Sequence, residues 1–255
     1  MWKEQILIEE LLAEVKKVIV GQDDLLRDIL IVLLCQWHIL LEWAPWLAKT
    51  LTVNTFSQAL NLSFSRIQFT PDLLPSDLTG ANIYDPSAKK FEVRKGPVFS
   101  NVILIDEVNR SPAKTQSALF EVMEERQVSV AGKTHKMEPL FMVLATQNPV
   151  EQEGTYPLPE AQMDRFVMKI LIDYPDNESE AKILRLVRDE SKSSAPKEKS
   201  EPLNQDIIFS AREEIQNIKV SESAEKYIVD LIFATRYPEK YNEELGSWVD
   251  FGASP

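Results

Sequence analysis

Cysteine is almost missing from this chain of 255 residues: Cys35 stands alone, which excludes an internal disulfide. Its apolar neighbours Leu33 and Leu34 lead us to expect a small buried side chain in a reducing compartment. Positive charge is also in short supply, with 28 Lys and Arg against 40 Asp and Glu and a formal charge of -12. That balance argues against a protein whose main task is holding DNA or RNA phosphates, and it is the expected sign for a soluble cytoplasmic protein. No apolar run approaches the ~18 residues of a membrane span. The start, Met1-Trp2-Lys3-Glu4-Gln5, opens a charged amphipathic segment rather than a basic and then apolar leader. Neither secretion nor membrane insertion is therefore expected, and no internal repeat is visible. What remains, 44% hydrophobic and 27% charged residues, suits one large core with a smaller satellite domain.

The most informative stretch is Val102-Ile103-Leu104-Ile105-Asp106-Glu107-Val108-Asn109-Arg110. Four apolar, mostly β-branched residues ending in two carboxylates read as a buried parallel strand delivering charge at its C-terminal edge, where open α/β sheets bind ligands. In a phosphate-loop enzyme the first acid would hold magnesium, directly or through water, and the second would polarise the attacking water. A strand ending in a solvated acidic turn accounts for this stretch equally well when it is taken alone.

From the N-terminus, residues 4 to 17 place Ile6, Ile8, Leu11, Leu12 and Val15 at helical spacing. Val18-Ile19-Val20-Gly21-Gln22 makes a strand-like turn, either a loop over an adenine ring or a plain connector, and Asp23 is a candidate N-cap for the next helix. His38 to Glu42 is a candidate first strand, followed by Trp43-Ala44-Pro45-Trp46-Leu47-Ala48-Lys49-Thr50 and a helix through Leu60. Strand, loop, Lys-Thr, helix is the layout of a phosphate-binding loop, but the pattern asks for glycine at the positions of Trp43 and Ala48. An aromatic-bearing connector is the other reading. Arg66 to Thr70 is a second strand, and residues 71 to 98 read as an extended insertion with a short helix and a hairpin arm at 92 to 98. A helix over 111 to 125 precedes a hairpin at 127 to 140. His135 on that hairpin has no second His or Cys nearby, so a metal role is not expected. The strand Phe141 to Thr146 ends in Gln147-Asn148-Pro149, where Asn148 either orients a water or a γ-phosphate or merely forms a turn. A fifth strand spans 167 to 172, with a seam near Pro175, a polar loop at 191 to 203, and helices at 206 to 217 and 221 to 236.

Strands alternating with helices, with polar residues at several strand C-termini, imply a doubly wound α/β core. The residues also carry a resemblance. Val20-Gly21-Gln22, Leu47-Ala48-Lys49-Thr50, Gln68-Phe69-Thr70-Pro71-Asp72-Leu73-Leu74-Pro75-Ser76-Asp77, Leu104 to Arg110, Ala145 to Pro149, Glu151 to Gln162 and Asp164-Arg165-Phe166 together resemble the MoxR family of AAA+ ATPases. The resemblance runs over nearly the whole chain.

It implies an AAA+ P-loop NTPase core, a parallel sheet flanked by helices, over residues 1–175, with a helical lid over 176–255. The insertion at about 71–98 and the hairpin at about 127–140 would be family features. It implies an ATP-hydrolysing, usually hexameric ring that acts as a chaperone on client proteins, often beside a von Willebrand factor A domain partner. Carried over by motif, Lys49 would bind the β and γ phosphates of ATP, and the loop from Pro45 to Ala48 would cradle them. Thr50 and Asp106 would hold Mg2+, Glu107 would activate water, and Asn148 would be the sensor. Arg165 would be the arginine finger offered to the neighbouring subunit, and Gly21 and Gln22 would lie near the adenine.

Two departures stand out. Trp43 and Trp46 occupy glycine positions of the family, as does Trp37, whereas Ala48 is normal there. The family also continues past Gly-Ala-Ser-Pro with a lid arginine that senses nucleotide, so a lid ending at Pro255 is expected to be incomplete and to lack it. The alternative function is a nucleotide-independent scaffold or adaptor whose phosphate loop is disabled by Trp43 and Trp46.

Overall fold

The structure is a computed structural model that describes residues 3–43, 49–87, 89–147, 155–172, 174–192, 202–249 and 252–253. It divides into two compact units, Met1–Arg212 and Glu213–Pro255.

The first unit runs α1 (Lys3–Lys16), α2 (Asp23–Cys35), β1 (His38–Trp43), α3 (Lys49–Ala59), β2 (Phe64–Gln68), α4 (Pro75–Thr79), β3 (Gly80–Asp85), β4 (Lys90–Lys95) and β5 (Val102–Asp106). It continues with α5 (Ala113–Glu125), β6 (Gln127–Val130), β7 (Lys133–Lys136), β8 (Met142–Gln147), α6 (Glu160–Met163), β9 (Phe166–Ile172), α7 (Asn177–Lys192) and α8 (Asp206–Gln216), the last reaching into the second unit. Five parallel strands form one sheet in the order β2-β5-β8-β1-β9.

The core follows from sequence alternation on buried strands. Val102 and Leu104 of β5 and Met142 and Leu144 of β8 face one layer with α1, α2 and α3, while Ile103, Ile105, Val143 and Ala145 face a second layer with α5. Every residue of β5 is buried, so no position on its faces can carry a solvated charge and its polarity leaves only at its C-terminal end.

Three features differ from the sequence reading. Cys35 is exposed, because it is the last residue of α2 and lies one turn on from the exposed Ile31. Val18 to Val20 form no strand; the amides of Val18 and Ile19 close onto the Val15 carbonyl, ending α1. The insertion is a ribbon of its own, with β3 paired antiparallel to β4 from Gly80↔Lys95 to Asp85↔Lys90. At its root two glycines meet back to back. A Cβ on Gly80 would lie 2.2 Å from the Arg94 carbonyl oxygen, and one on Gly96 would lie 2.1 Å from that of Leu78.

The C-terminus of α2 is tied down by cations, which favour the negative end of a helix. Gln36 caps it in a left-handed conformation, Arg126 donates to the Gln36 carbonyl, and Arg212 of α8 donates to that of Leu33. Burial, with Arg126 nearby, pushes the Arg212 guanidinium down to about 10, which leaves it charged at neutral pH. In the second unit, α9 (Glu222–Arg236) is capped by Ser221 Oγ accepting from the Ala224 amide, and α10 (Glu243–Trp248) by Asn242 accepting from that of Glu244.

His38 ties β1 to β8 and to α5. It is 3% exposed, its Nδ1 accepts from the Val143 amide at 3.0 Å, and its Nε2 donates to the Met123 carbonyl at 3.2 Å, so the neutral Nε2-H form is the one held. Burial lowers its pKa from 6.5 to about 4, opposed by the Met123 hydrogen bond and aided by Arg126. The unfolded chain therefore takes up a proton near pH 6.5 that the native chain refuses until about pH 4. Stability from this residue is complete above pH 6.5 and is lost as pH falls through that window, up to ~3 kcal/mol. Urea unfolding from pH 7 to 4 should show the native chain losing stability more steeply than His38→Gln; equal slopes would exclude His38 as the source.

Candidate active site

The acidic pair sits where β5 leaves the sheet. Asp106 is 1% exposed, and its carbonyl accepts from the Phe69 amide at 2.9 Å, which holds the end of β2 against it. Arg66 on β2 donates from Nε to Asp106 Oδ2 at 2.6 Å, and the Thr146 hydroxyl on β8 lies 3.4 Å from Oδ1. Two neighbouring strands thus grip the carboxylate from either side.

Glu107 takes a left-handed turn, φ 58 and ψ 54, a conformation that costs a non-glycine residue ~1 kcal/mol or more. The surroundings impose it: the Glu107 amide donates to Thr146 Oγ1 at 3.0 Å. Gln68 Nε2 donates to Glu107 Oε2 at 2.8 Å and Arg110 Nε lies 3.2 Å from the same oxygen. The carboxylate is thereby aimed out of the sheet edge while the chain doubles back towards α5. Such a group can accept a proton from a water at that edge.

Gly21 and Gln22 lie between α1 and α2. Gln22 Oε1 accepts from the Thr52 hydroxyl of α3 at 3.1 Å, fastening the turn to the helix that Lys49 and Thr50 begin. Gly21 has φ 76, and a Cβ there would lie 2.7 Å from Ser179 Cβ at the start of α7. The turn, α3 and α7 therefore converge at one place. Pro45, Ala48 and Asn148 lie outside the described residues, as do the side chains of Trp43 and Lys49.

Arg165 stands apart from these. It precedes β9 and pairs with Glu124, near the end of α5, at 2.9 Å. The registers Ile105↔Ala145, Leu40↔Ala145 and Leu40↔Lys169 set Asp106 level with Ile170, a strand's length beyond Arg165 and three strands across. At ~3.3 Å per residue and ~4.8 Å per strand the two Cα atoms are on the order of 20 Å apart, at opposite edges of the sheet.

The model of the ATPase family associated with various cellular activities (AAA) matches residues 38–168. The chain is 46% identical over 249 residues to Chaperone MoxR1 of Mycobacterium tuberculosis, covering 97% of this chain and 65% of that protein. The chain belongs to the MoxR family of AAA+ ATPases. It is also 45% identical over 232 residues to the uncharacterised protein YeaC of Bacillus subtilis, covering 90% of this chain and 71% of that one. The crystal structure of a provisionally named ATPase from Cytophaga hutchinsonii superposes with a TM-score of 0.90 at 52% identity, over 98% of this chain and 76% of its own. The five-stranded parallel sheet flanked by helices is the AAA+ P-loop α/β core. Among the described residues no helix is long and apolar enough to cross a membrane.

In this MoxR-family chain the roles of Arg66, Gln68, Arg110 and Thr146 escaped the sequence reading, although the motifs that carry the resemblance contain the last three. The register Gln68↔Asp106 is the missing information: only strand pairing brings the end of β2 beside the acids. The Gly21 packing gives a direct test. Gly21→Ala should lower stability by ~2 kcal/mol, from the left-handed backbone and the Ser179 collision together. Adding Ser179→Gly should restore part of the melting temperature; no recovery would mean the collision contributes nothing.

Proposed function

We propose that this chain is a chaperone-like AAA+ ATPase that couples ATP hydrolysis to the remodelling or maturation of client protein complexes. The observation that carries the reading is the supported acid pair: Asp106 buried and held from two strands, with Glu107 aimed outward by Gln68 and Arg110. A scaffold without nucleotide chemistry would have no use for a strained glutamate braced at one carboxylate oxygen by two side chains.

The donor chemistry suits magnesium that arrives with its nucleotide. Among the described residues no group of three or more His, Cys, Asp or Glu forms a cage, and Thr50 and Asp106 offer a hydroxyl and a carboxylate to a hard cation that otherwise keeps water and phosphate oxygens. Bound there, the ion would neutralise charge on the β and γ phosphate oxygens. Lys49 would add its charge to the same phosphates and Asn148 would orient the water. Glu107 would take the proton as the water oxygen bonds to the γ phosphorus and the bond to the β-phosphate oxygen breaks.

Arg165, at the opposite sheet edge, cannot serve its own chain's nucleotide, which supports a finger offered to a neighbouring subunit in a ring, a hexamer by family habit. Its Glu124 partner would be given up on assembly. The client, with or without a von Willebrand factor A domain protein beside it, would be met by the assembled ring, and the helices after residue 175 would serve as the lid. A cytoplasmic setting suits the lone cysteine. In a background with Trp43→Gly and Trp46→Gly, mixing Arg165→Ala subunits with Glu107→Gln subunits should restore turnover, because mixed rings contain interfaces with both residues intact. A mixture no more active than either variant alone would refute the sharing.

The tryptophans need an account of their own. Trp37, Trp43 and Trp46 fall within ten residues, each at a glycine position of the family, in a chain with seven glycines among 255 residues, under half the usual share of ~7%. Trp37 follows the left-handed Gln36 and is 45% exposed. One rule explains all three more economically than three separate mutations: the codon UGA means tryptophan in some genetic codes and glycine in others. We infer that these are glycine positions, which leaves the phosphate cradle intact in the source organism. The mass of the tryptic peptide spanning 28–49 from source cells should show glycine at all three. Correspondingly, the chain with tryptophan should bind Mg-ATP at least tenfold more weakly than Trp43→Gly/Trp46→Gly by calorimetry, since an indole directed into the cradle fills the space of a phosphate. Equal affinities would show that the tryptophans leave the cradle open.

A further inference from the structure

We propose that Arg66 is a built-in cation that occupies the Asp106 carboxylate and competes with the metal ion for it. The inference rests on the reading of Asp106 as the magnesium carboxylate. The pair is asymmetric. Asp106 is 1% exposed, fixed at the end of the fully buried β5, with its carbonyl tied to Phe69. The Arg66 side chain is 49% exposed and springs from β2, the edge strand of the sheet. The acid cannot leave the site, whereas the base can swing into solvent without repacking the core.

A carboxylate buried this deeply is costly without a counter-charge, and Arg66 supplies one at 2.6 Å. A divalent ion meets the same carboxylate as a rival, because magnesium requires close oxygen ligands in a tight shell. A guanidinium hydrogen-bonded to Oδ2 takes one of the available lone pairs and repels the dication. The coupling is reciprocal: whatever factor Arg66 subtracts from metal affinity, the metal subtracts from the hold on Arg66. Loading the metal therefore releases a guanidinium at the sheet edge, and losing it returns that group to Asp106. Arg66 is distinct here from Arg110, whose partner is Glu107.

Mn2+ titration of the whole chain without nucleotide, read by the electron spin resonance of the free ion, tests this directly. Arg66→Gln should bind Mn2+ on the order of tenfold more tightly at one site, from the loss of one nearby, half-solvated charge. Arg66→Lys should stay near the parent, and in Arg66→Gln/Asp106→Asn the gain should vanish. Unchanged or weaker Mn2+ binding by folded Arg66→Gln overturns the proposal. Should that variant not fold, the unmodified chain still decides: the Arg66 Nε-H resonance should be protected from exchange in EDTA and lose protection on adding Mg2+, and retained protection at saturating Mg2+ overturns the proposal. ADP affinity in EDTA reports separately on the phosphate site. Its absence would sink the nucleotide reading while leaving a Mn2+ gain, and hence the competition, in place.

Discussion

The site depends on one constraint: β5 is buried on both faces and flanked on both sides, so its charge has a single outlet. Neighbours must meet that charge, and each does so from a strand end. β2 brings Arg66 and Gln68, and β8 brings Thr146. Even the backbone complies, since the left-handed turn at Glu107 is held by the threonine that also contacts Asp106. Removing the parallel register would disperse all of these groups, although none is distant in the fold.

How much of this the sequence discloses depends on whether the information is local. The strand over 102–106 and its two acids are plain because four apolar residues in a row leave few alternatives. The Gln127–Val130 and Lys133–Lys136 hairpin is legible from its alternation and turn. By contrast, the β3-β4 ribbon shows only one arm in the sequence, at 92 to 98, and β3 reads as loop. Its arms are mostly exposed, so no buried stripe marks them; cross-strand pairing and the Tyr84–Phe91 ring contact at 5.2 Å define it instead. The strand at 66–70 proves to be Phe64–Gln68, because pairing with β5 fixes its ends and not its own hydrophobicity. Cys35 reads as buried for a related reason: apolar neighbours in sequence say little about which side of a helix a residue faces. Arg66 was invisible as a site residue, since an arginine on a strand looks the same whether it meets water or a buried aspartate.

The sheet also separates charges that the chemistry would bring together. Parallel strands share a direction, so everything at their C-terminal ends gathers on one edge and Arg165, preceding β9, falls on the other. Glu124 meets it there because α5 starts from the acidic edge and runs back. The polarity of the layer, rather than any one contact, thus gives the domain an acidic end and an end with a parked arginine, which suits head-to-tail stacking of copies.

The paired glycines at the root of the β3-β4 ribbon bear on how this lineage can change. A side chain on either one would run into main-chain carbonyl oxygens, of Arg94 or of Leu78, and not into another side chain. No second substitution elsewhere can trim a backbone atom, so a mutation at Gly80 or Gly96 has no suppressor within reach. The exposed arms above them face no such limit and can trade residues freely. Divergence among descendants should therefore concentrate towards the tip of the ribbon, with the two root positions inherited together or the whole ribbon lost as a block.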